Sequence, residues 1–178
     1  MPASARILDI GCGAGQTLIA EYPQHKTFGI DVDLDALRLG RTLTQSACFA
    51  SGLAEALPYR DEQFDLVIAR VSLPYTDIRS SLGEIHRVLR PKGLLWMVLH
   101  PFSFCWRQAR QGRLRGWLRF LYVLANGIMF HFLQRQFRVG SRQESFQTER
   151  GITRALQLAG FHEIHITRNR HFVVTARK

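Results

Sequence analysis

The chain has 178 residues and a formal net charge of +10, with 46% hydrophobic and 21% charged residues. That is the composition of one ordinary globular domain with a sizeable core, and it excludes a disordered, low-complexity or repeat chain. Cys12, Cys48 and Cys105 are scattered and lack CxxC or His-rich spacing. This excludes a disulfide framework and a zinc site and fits a reducing, cytoplasmic setting without a metal.

The charge is local. Residues 101–143 hold eight arginines (107, 110, 113, 115, 119, 135, 138 and 142) and no Asp, Glu or Lys, leaving 16 basic against 14 acidic residues elsewhere. One surface is therefore basic, which suits anionic lipid, nucleic acid, an acidic substrate or a plain solvated rim. The opening residues show no signal-peptide pattern, because the apolar run Ile7–Ile10 is far too short for an h-region.

In chain order, Arg6–Ile10 reads as a buried strand ending in a glycine cluster, and Gln16–Tyr22 as a helix stopped near Pro23. Thr27–Asp31 reads as a second strand. Leu34–Leu43 reads as a helix with Leu34, Leu37 and Leu43 on one face, and Cys48–Ser51 as a weak third strand. Phe64–Arg70 is a strong fourth strand. Ile78–Leu89 carries apolar residues at 78, 82, 85, 88 and 89, the spacing of a core-facing helix. Pro91-Lys92-Gly93 punctuates the chain before a fifth strand, Leu94–Leu99.

Beyond Pro101 the block is aromatic, arginine-rich and helical. Thr148–Ala159 returns to an amphipathic helix, and His162–Arg168 and His171–Arg177 close the chain as a hairpin around Asn169-Arg170. Strands alternating with helices predict βαβ units and a parallel sheet. The expectation is one domain, 1–178, with 101–146 as a helical cap inserted within it.

Asp9-Ile10-Gly11-Cys12-Gly13-Ala14-Gly15 lies between the first strand and the first helix, where glycines let the backbone turn tightly and approach a ligand. Asp31 ends the next strand, where an acid can accept from a ribose diol. The dinucleotide fingerprint G-x-G-x-x-G fails: Gln16 stands at its third glycine, and Gly15 comes one residue early. An acid two residues before the first glycine suits a ligand with a cationic end.

Ile7-Leu8-Asp9-Ile10-Gly11-Cys12-Gly13-Ala14-Gly15 resembles the first motif of the class I S-adenosylmethionine-dependent methyltransferases. Gly29-Ile30-Asp31-Val32-Asp33 resembles their second, acidic motif. Phe64-Asp65-Leu66-Val67 and Arg87-Val88-Leu89-Arg90-Pro91-Lys92-Gly93 resemble later motifs of the small-molecule, ubiquinone-type branch, with Leu94 where a second glycine is usual.

The resemblance implies roles. Gly11, Gly13 and Gly15 approach the methionyl part and sugar of S-adenosylmethionine. Asp9 orients the loop or the ammonium, Asp31 holds the ribose hydroxyls, and Val32 lies near the adenine. Ala54 offers its amide to the adenine, and Arg70 opens the loop at the amino-acid end. Leu53 stands where an acid usually meets the adenine amino group, with Ser51 or Glu55 as stand-ins. Relatives carry one or two covering helices before the first strand. Here the start is truncated, the arginine-rich block takes over as lid, or catalysis has been lost.

Cys12 reads as a packing residue and Asp33 as a helix cap. Glu84, His86 and Arg87 read as a solvated helix face. His100, ending the fifth strand, is a candidate base, and Tyr75 a second catalytic candidate. Trp117–Leu133 is apolar nearly all round but short for a membrane span. It reads as a buried cap helix, an interfacial helix in peripheral contact with a membrane, or core or dimer surface.

The fold expected is a three-layer α/β/α Rossmann-like sandwich, with a seven-stranded, mostly parallel sheet and an antiparallel last strand near Phe172–Ala176. The function expected is methyl transfer from S-adenosylmethionine to a small, apolar acceptor. The alternatives are an RNA methyltransferase using the arginine-rich block and a non-catalytic, membrane-associated relative. No Asn/Asp-Pro-Pro-Tyr/Phe motif or appended RNA module supports nucleic acid.

Overall fold

The computed structural model describes residues 2, 4–111, 114–140, 143–169 and 171–178, without the side chains of 104, 108–111, 114 and 115. Its elements are β1 (Arg6–Ile10), α1 (Gln16–Glu21), β2 (Lys26–Asp31), α2 (Leu34–Leu43), β3 (Ala47–Ser51) and β4 (Phe64–Arg70). A 3-10 turn at Leu73–Tyr75 follows, then α3 (Ile78–Val88), β5 (Leu89–Leu99), α4 (Phe102–Gln111), α5 (Leu114–Leu133), α6 (Glu149–Leu158), β6 (His162–Arg168) and β7 (Phe172–Arg177).

The strands form one sheet in the order β3-β2-β1-β4-β5-β7-β6. β1 pairs in parallel with β2 and β4, β2 with β3, and β4 with β5. β7 runs antiparallel between β5 and β6, pairing Leu99 with Phe172 on one side and Arg168 with Phe172 on the other. The expected sandwich and antiparallel last strand are both present. The tip of the β6–β7 hairpin, at Arg170, lies outside the described residues.

Alternation along the strands builds two apolar layers. Leu8, Ile10, Ile30, Val67, Ala69, Leu95 and Met97 face α3 and α6 in the main core. Ile7, Leu66 and Ile68 face the opposite way, against Leu18 of α1. In α3, Ile78, Leu82, Ile85 and Val88 are fully buried, and each contributes about 1.5–3 kcal/mol of transfer energy. Side chains close the helix starts: Asp33 accepts from Asp35 N and Ala36 N, Asp77 from Ser80 N, and Thr148 from Gly151 N.

Two local expectations are corrected. In α2 only Leu37 and Gly40 are buried, while Leu34 and Leu43 are exposed. Nine residues is two and a half turns, which puts Leu43 opposite Leu34. Pro91-Lys92-Gly93 does not precede the fifth strand but lies within it, as an irregularity where the register shifts between Phe64 and Leu66. Lys92, at φ +65°, donates its amide to Lys178 O, and Lys178 N donates to Gly93 O, so the chain's last residue pairs the bulge.

The block after β5 forms α4 and α5. The extended segment after α5 joins it to the carboxyl ends of β4 and β5: Ser145 N donates to Pro74 O, Ile78 N to Gln136 Oε1, and Gln147 N to His100 O.

Candidate functional site

The sheet order reverses at β1: β2 and β3 lie to one side, β4 and β5 to the other. In open α/β sheets ligands occupy the crevice that opens at such a reversal, outside the carboxyl ends of the strands. Asp9, the glycine loop, Asp31 and Arg70 gather there.

The loop leaves β1 with Gly11 N (2.8 Å) and Cys12 N (3.2 Å) both donating to Ile30 O. Gly11, Gly13 and Gly15 have φ of +73°, +53° and +80°, a left-handed conformation that side chains resist. A Cβ on Gly11 would run into the side chain of Ser72, and one on Gly15 would lie 2.6 Å from the Phe49 ring. Gly13 differs: a Cβ there would meet only Gln16 Oε1, at 3.8 Å. Protein packs behind the first and last glycines and leaves space beside the middle one.

The Asp31 carboxylate faces this loop, its Oδ2 accepting from Gly13 N at 2.7 Å and its Oδ1 from Asp33 N at 2.9 Å. Each oxygen retains acceptor capacity for a ligand hydroxyl. Val32 and Leu53 are exposed at the crevice's β2–β3 side, and Ala54 is buried in the turn that Ala56 N closes onto Leu53 O. Of the two stand-ins for the missing acid, Glu55 is held by Asp77 N at 2.9 Å and faces away from that position. Ser51 ends β3, exposed.

Asp9 is 2% exposed, and its Oδ1 has no hydrogen-bond partner. Burial pushes its carboxyl up to about 7; the Arg70 guanidinium lowers it, and Asp31 and Glu21 raise it. A buried, unsatisfied carboxylate oxygen is costly, and a cation with N–H donors placed against it removes that cost. Arg70, at the end of β4, reaches Thr17 at 3.5 Å and Glu21 at 3.8 Å. Both contacts are exposed and energetically small. From Arg70 and Val71 an apolar groove of about 490 Å³ runs between α1 and the sheet, over Leu66, Ile68, Trp96, Val98 and Val173.

Sequence reasoning missed Ser72 and Val71. Ser72 Oγ donates to Ile10 O at 2.6 Å, which locks the loop after β4 beneath the glycine turn. Val71 sits at φ +65°, a strained position for a β-branched residue, and its N–H donates to Val98 O. A small polar residue just beyond β4 was the available signal for Ser72. Nothing local marks Val71.

Tyr75 and His100 come together, their rings edge-on with centroids 5.4 Å apart. His100 is buried, its backbone N–H donating to Gln147 Oε1. Burial lowers the imidazole's pKa, against Glu144 and assisted by Arg119. Burial and the Glu144 charge raise the Tyr75 phenol. Beside them Arg119 forms a two-pronged pair with Glu144, both bonds 2.9 Å. Arg119, read from the sequence as part of a basic surface, is thus committed to a buried acid.

The solvated-face reading of Glu84 and Arg87 is also corrected. Glu84 Oε2 accepts from Leu57 N, and Arg87 donates to Leu57 O, Tyr59 O, Asp61 and Glu84. The loop before β4 folds over them. His86 packs edge-on against Phe161.

The fold and the glycine–acid crevice define a Rossmann-like α/β protein with an open crevice at the sheet's reversal point. A family model described as a methyltransferase domain matches residues 8–97, half of the chain, and the chain belongs to that family. It is 32% identical to the uncharacterized methyltransferase YcgJ of Bacillus subtilis over 105 residues, 55% of this chain and 42% of that protein. It is 30% identical to a demethylmenaquinone methyltransferase of Chlorobaculum parvum over 96 residues, 52% of this chain and 40% of that one. The chain therefore spans about two fifths of these relatives' length. A SAM-dependent methyltransferase from Methanosarcina mazei shares the fold, with a TM-score of 0.68, 22% identity, and coverage of 100% of this chain and 94% of that one.

Proposed function

We propose that the chain is a cytoplasmic enzyme that binds S-adenosylmethionine at the β1–β2 crevice and transfers its methyl group to a small, apolar acceptor. The observation that carries this reading is Asp9: a buried carboxylate with an unsatisfied oxygen beside a glycine turn, a site that favours a cationic ligand over a phosphate. Bound there, the cofactor supplies a methyl group activated by its positively charged sulfur.

The chain's residues divide the binding. Asp9 and Arg70 face the amino-acid end, the one toward its ammonium and the other toward its carboxylate. Gly13 leaves room for close approach, Asp31 accepts from the ribose hydroxyls, and Val32, Leu53 and Ala54 flank the base. Held in this way, the cofactor would present its methyl in line with an acceptor, and these residues would supply the alignment. Alignment supplies much of the rate.

His100 takes the proton where the acceptor is a hydroxyl, because burial keeps its imidazole neutral at neutral pH. Tyr75, held protonated, orients the ring and does not act as a base. Residues 101–146, anchored to Pro74 and Ile78 and followed by Gln147 on His100, serve as a cap over this end of the sheet. An apolar acceptor suits the aromatic group Phe102, Trp106, Phe120 and Phe146 within the cap, and a relative is named a demethylmenaquinone methyltransferase.

Isothermal titration with S-adenosylmethionine tests the reading. Saturable binding, weakened in Asp31→Ala, is expected; no heat and no competition from the demethylated product would overturn it. The RNA alternative loses support because Arg119 is paired internally. RNA retention that weakens steeply with salt is the behaviour it would require.

A further inference from the structure

The outward face of α5 contributes none of the residues to which the methyl-transfer reading gives a role. Phe120, Val123, Asn126, Gly127 and Phe130 turn inward and are buried. Trp117, Leu118, Leu121, Ile128 and Phe132 recur on the opposite side, all exposed, with Phe132 at 64%. They form one apolar stripe roughly 22 Å long at 1.5 Å per residue, more contiguous than solvent-facing surfaces ordinarily carry.

The surroundings are cationic. Residues 101–143 contain eight arginines and no acid. Arg107 follows Trp106, which packs on Trp117 at one end of the stripe, and Arg135 follows the other end. Arg138 follows Phe137, which packs on Tyr122 along the helix, and all three arginines are exposed. Two acids flank this block and both are paired: Glu144 is buried and held by Arg119, and Glu149 is held by Arg168. An apolar stripe with cations at its ends fits a bilayer whose headgroups are anionic.

Gly116–Leu133 is long and apolar enough to cross a membrane, but its inner face is committed to the protein. Phe130 belongs to the main core, Phe120 and Val123 pack with Phe146 and Cys105, and Asn126 Nδ2 donates to Phe137 O and Glu144 O. A spanning helix would strip these contacts and leave buried polar groups unpaired.

We propose that α5 seats the protein on an anionic lipid surface. Its axis lies in the plane of the bilayer, with Leu118, Leu121 and Phe132 in the boundary between headgroups and acyl chains and Arg135 and Arg138 on headgroup phosphates.

The test is flotation of the full chain, without cofactor, with phosphatidylcholine vesicles and with mixed phosphatidylcholine–phosphatidylglycerol vesicles. Binding to the mixed vesicles should be strong, be weakened by salt, and fall roughly tenfold or more when Leu118, Leu121 and Phe132 are all changed to Ser. Leu158→Ser, equally exposed but on α6, should bind like the parent. Thermal melting reports whether the triple variant folds. Independently of it, brominated acyl chains should quench the parent's tryptophan emission, and less so in Trp117→Phe.

Absence of binding to the mixed vesicles, unchanged binding of a folded triple variant, or absence of quenching overturns the proposal. So does a preference for single-stranded RNA over vesicles at equal phosphate, or a stable dimer that the triple variant dissolves. Cofactor titration is separate, so failure here leaves the methyl-transfer reading standing.

Discussion

The amide of Gly13 donates to the carboxylate of Asp31 at 2.7 Å, so the turn leaving β1 and the acid ending β2 hold one another in place. Asp31→Ala removes both the loop's anchor and the ribose acceptor. A hydrogen bond to a charged group is worth about 1.5–3 kcal/mol, so cofactor affinity should fall roughly 10- to 100-fold. Isothermal titration against the parent measures this. Equal affinities would remove Asp31 from the site.

The loop glycines separate structure from binding. Gly11→Ala places a Cβ against Ser72 at a positive φ, and should cost stability about 2 kcal/mol or more from strain and overpacking together. Gly13→Ala meets almost nothing in the protein, so its cost is the backbone term alone, about 1–2 kcal/mol. Its Cβ occupies ligand space, and cofactor binding should be lost while the fold survives. Denaturant melts paired with titration distinguish the two. A Gly13→Ala variant that binds normally would put the ligand elsewhere.

The first strand, its glycine turn and Asp31 were legible because each is local: an apolar run, a turn only glycine adopts, and an acid at a strand end. Phe64–Arg70 and the stripe of α3 were legible by periodicity. The shared face of Leu34 and Leu43 failed on helical spacing alone; most of what else failed depended on distant chain. Ser72 meets Gly11 across 61 positions, and Arg119 finds Glu144 across 25, neither marked by any spacing. The solvated-face reading of Arg87 failed because helical periodicity says which side is polar, not whether a loop then covers it. The segment that follows α5 shows no periodicity at all, yet its buried Gln134, Gln143 and Gln147 help fasten the cap.

Arg87 is one such hidden anchor. It ties Leu57 O, Tyr59 O, Asp61 and Glu84 with one guanidinium. Arg87→Met should destabilise by about 1–3 kcal/mol, the cost of leaving partly buried acceptors unpaired. The hydrogen bond from Arg87 holds Glu84 below its usual 4.5. Its contribution is therefore full above that value and lost as pH falls through the lower, folded value. Parent and Arg87→Met should converge in stability under acid and separate toward neutrality. Parallel curves would show that Glu84 draws nothing from Arg87.

His100 and Tyr75 should divide catalysis from binding. His100→Asn is expected to lower kcat by roughly 10²- to 10⁴-fold for a hydroxyl acceptor, the range for a general base, with cofactor affinity unchanged. Tyr75→Phe keeps the ring edge against His100 but removes the phenol's hydrogen bond with Arg119, and should cost at most roughly 10- to 100-fold, since a hydrogen bond to a charged group is worth about 1.5–3 kcal/mol. The pH profile of the parent should rise with a midpoint below the usual 6.5 of histidine. A profile without that limb, or His100→Asn with full activity, would leave the acceptor's proton to solvent.

Asp9 couples stability, pH and binding most directly. Its folded value, about 7, lies above the unfolded 3.8, so the folded chain binds more protons across that window. The group's effect on stability therefore worsens as pH rises between those values and is flat on either side. Keeping Asp9 charged costs the unliganded fold on the order of 4 kcal/mol. Asp9→Asn should accordingly raise Tm at alkaline pH and change it little in acid, while weakening cofactor binding. In the parent, an arriving ammonium favours the carboxylate, so affinity should rise between about pH 6 and 8 as the proton that must be released is already gone. Titration in buffers of different ionisation enthalpy reports that proton directly. Binding without proton release below neutrality would mean that Asp9 does not face the cation, and the burial of its unsatisfied oxygen would then serve the fold alone.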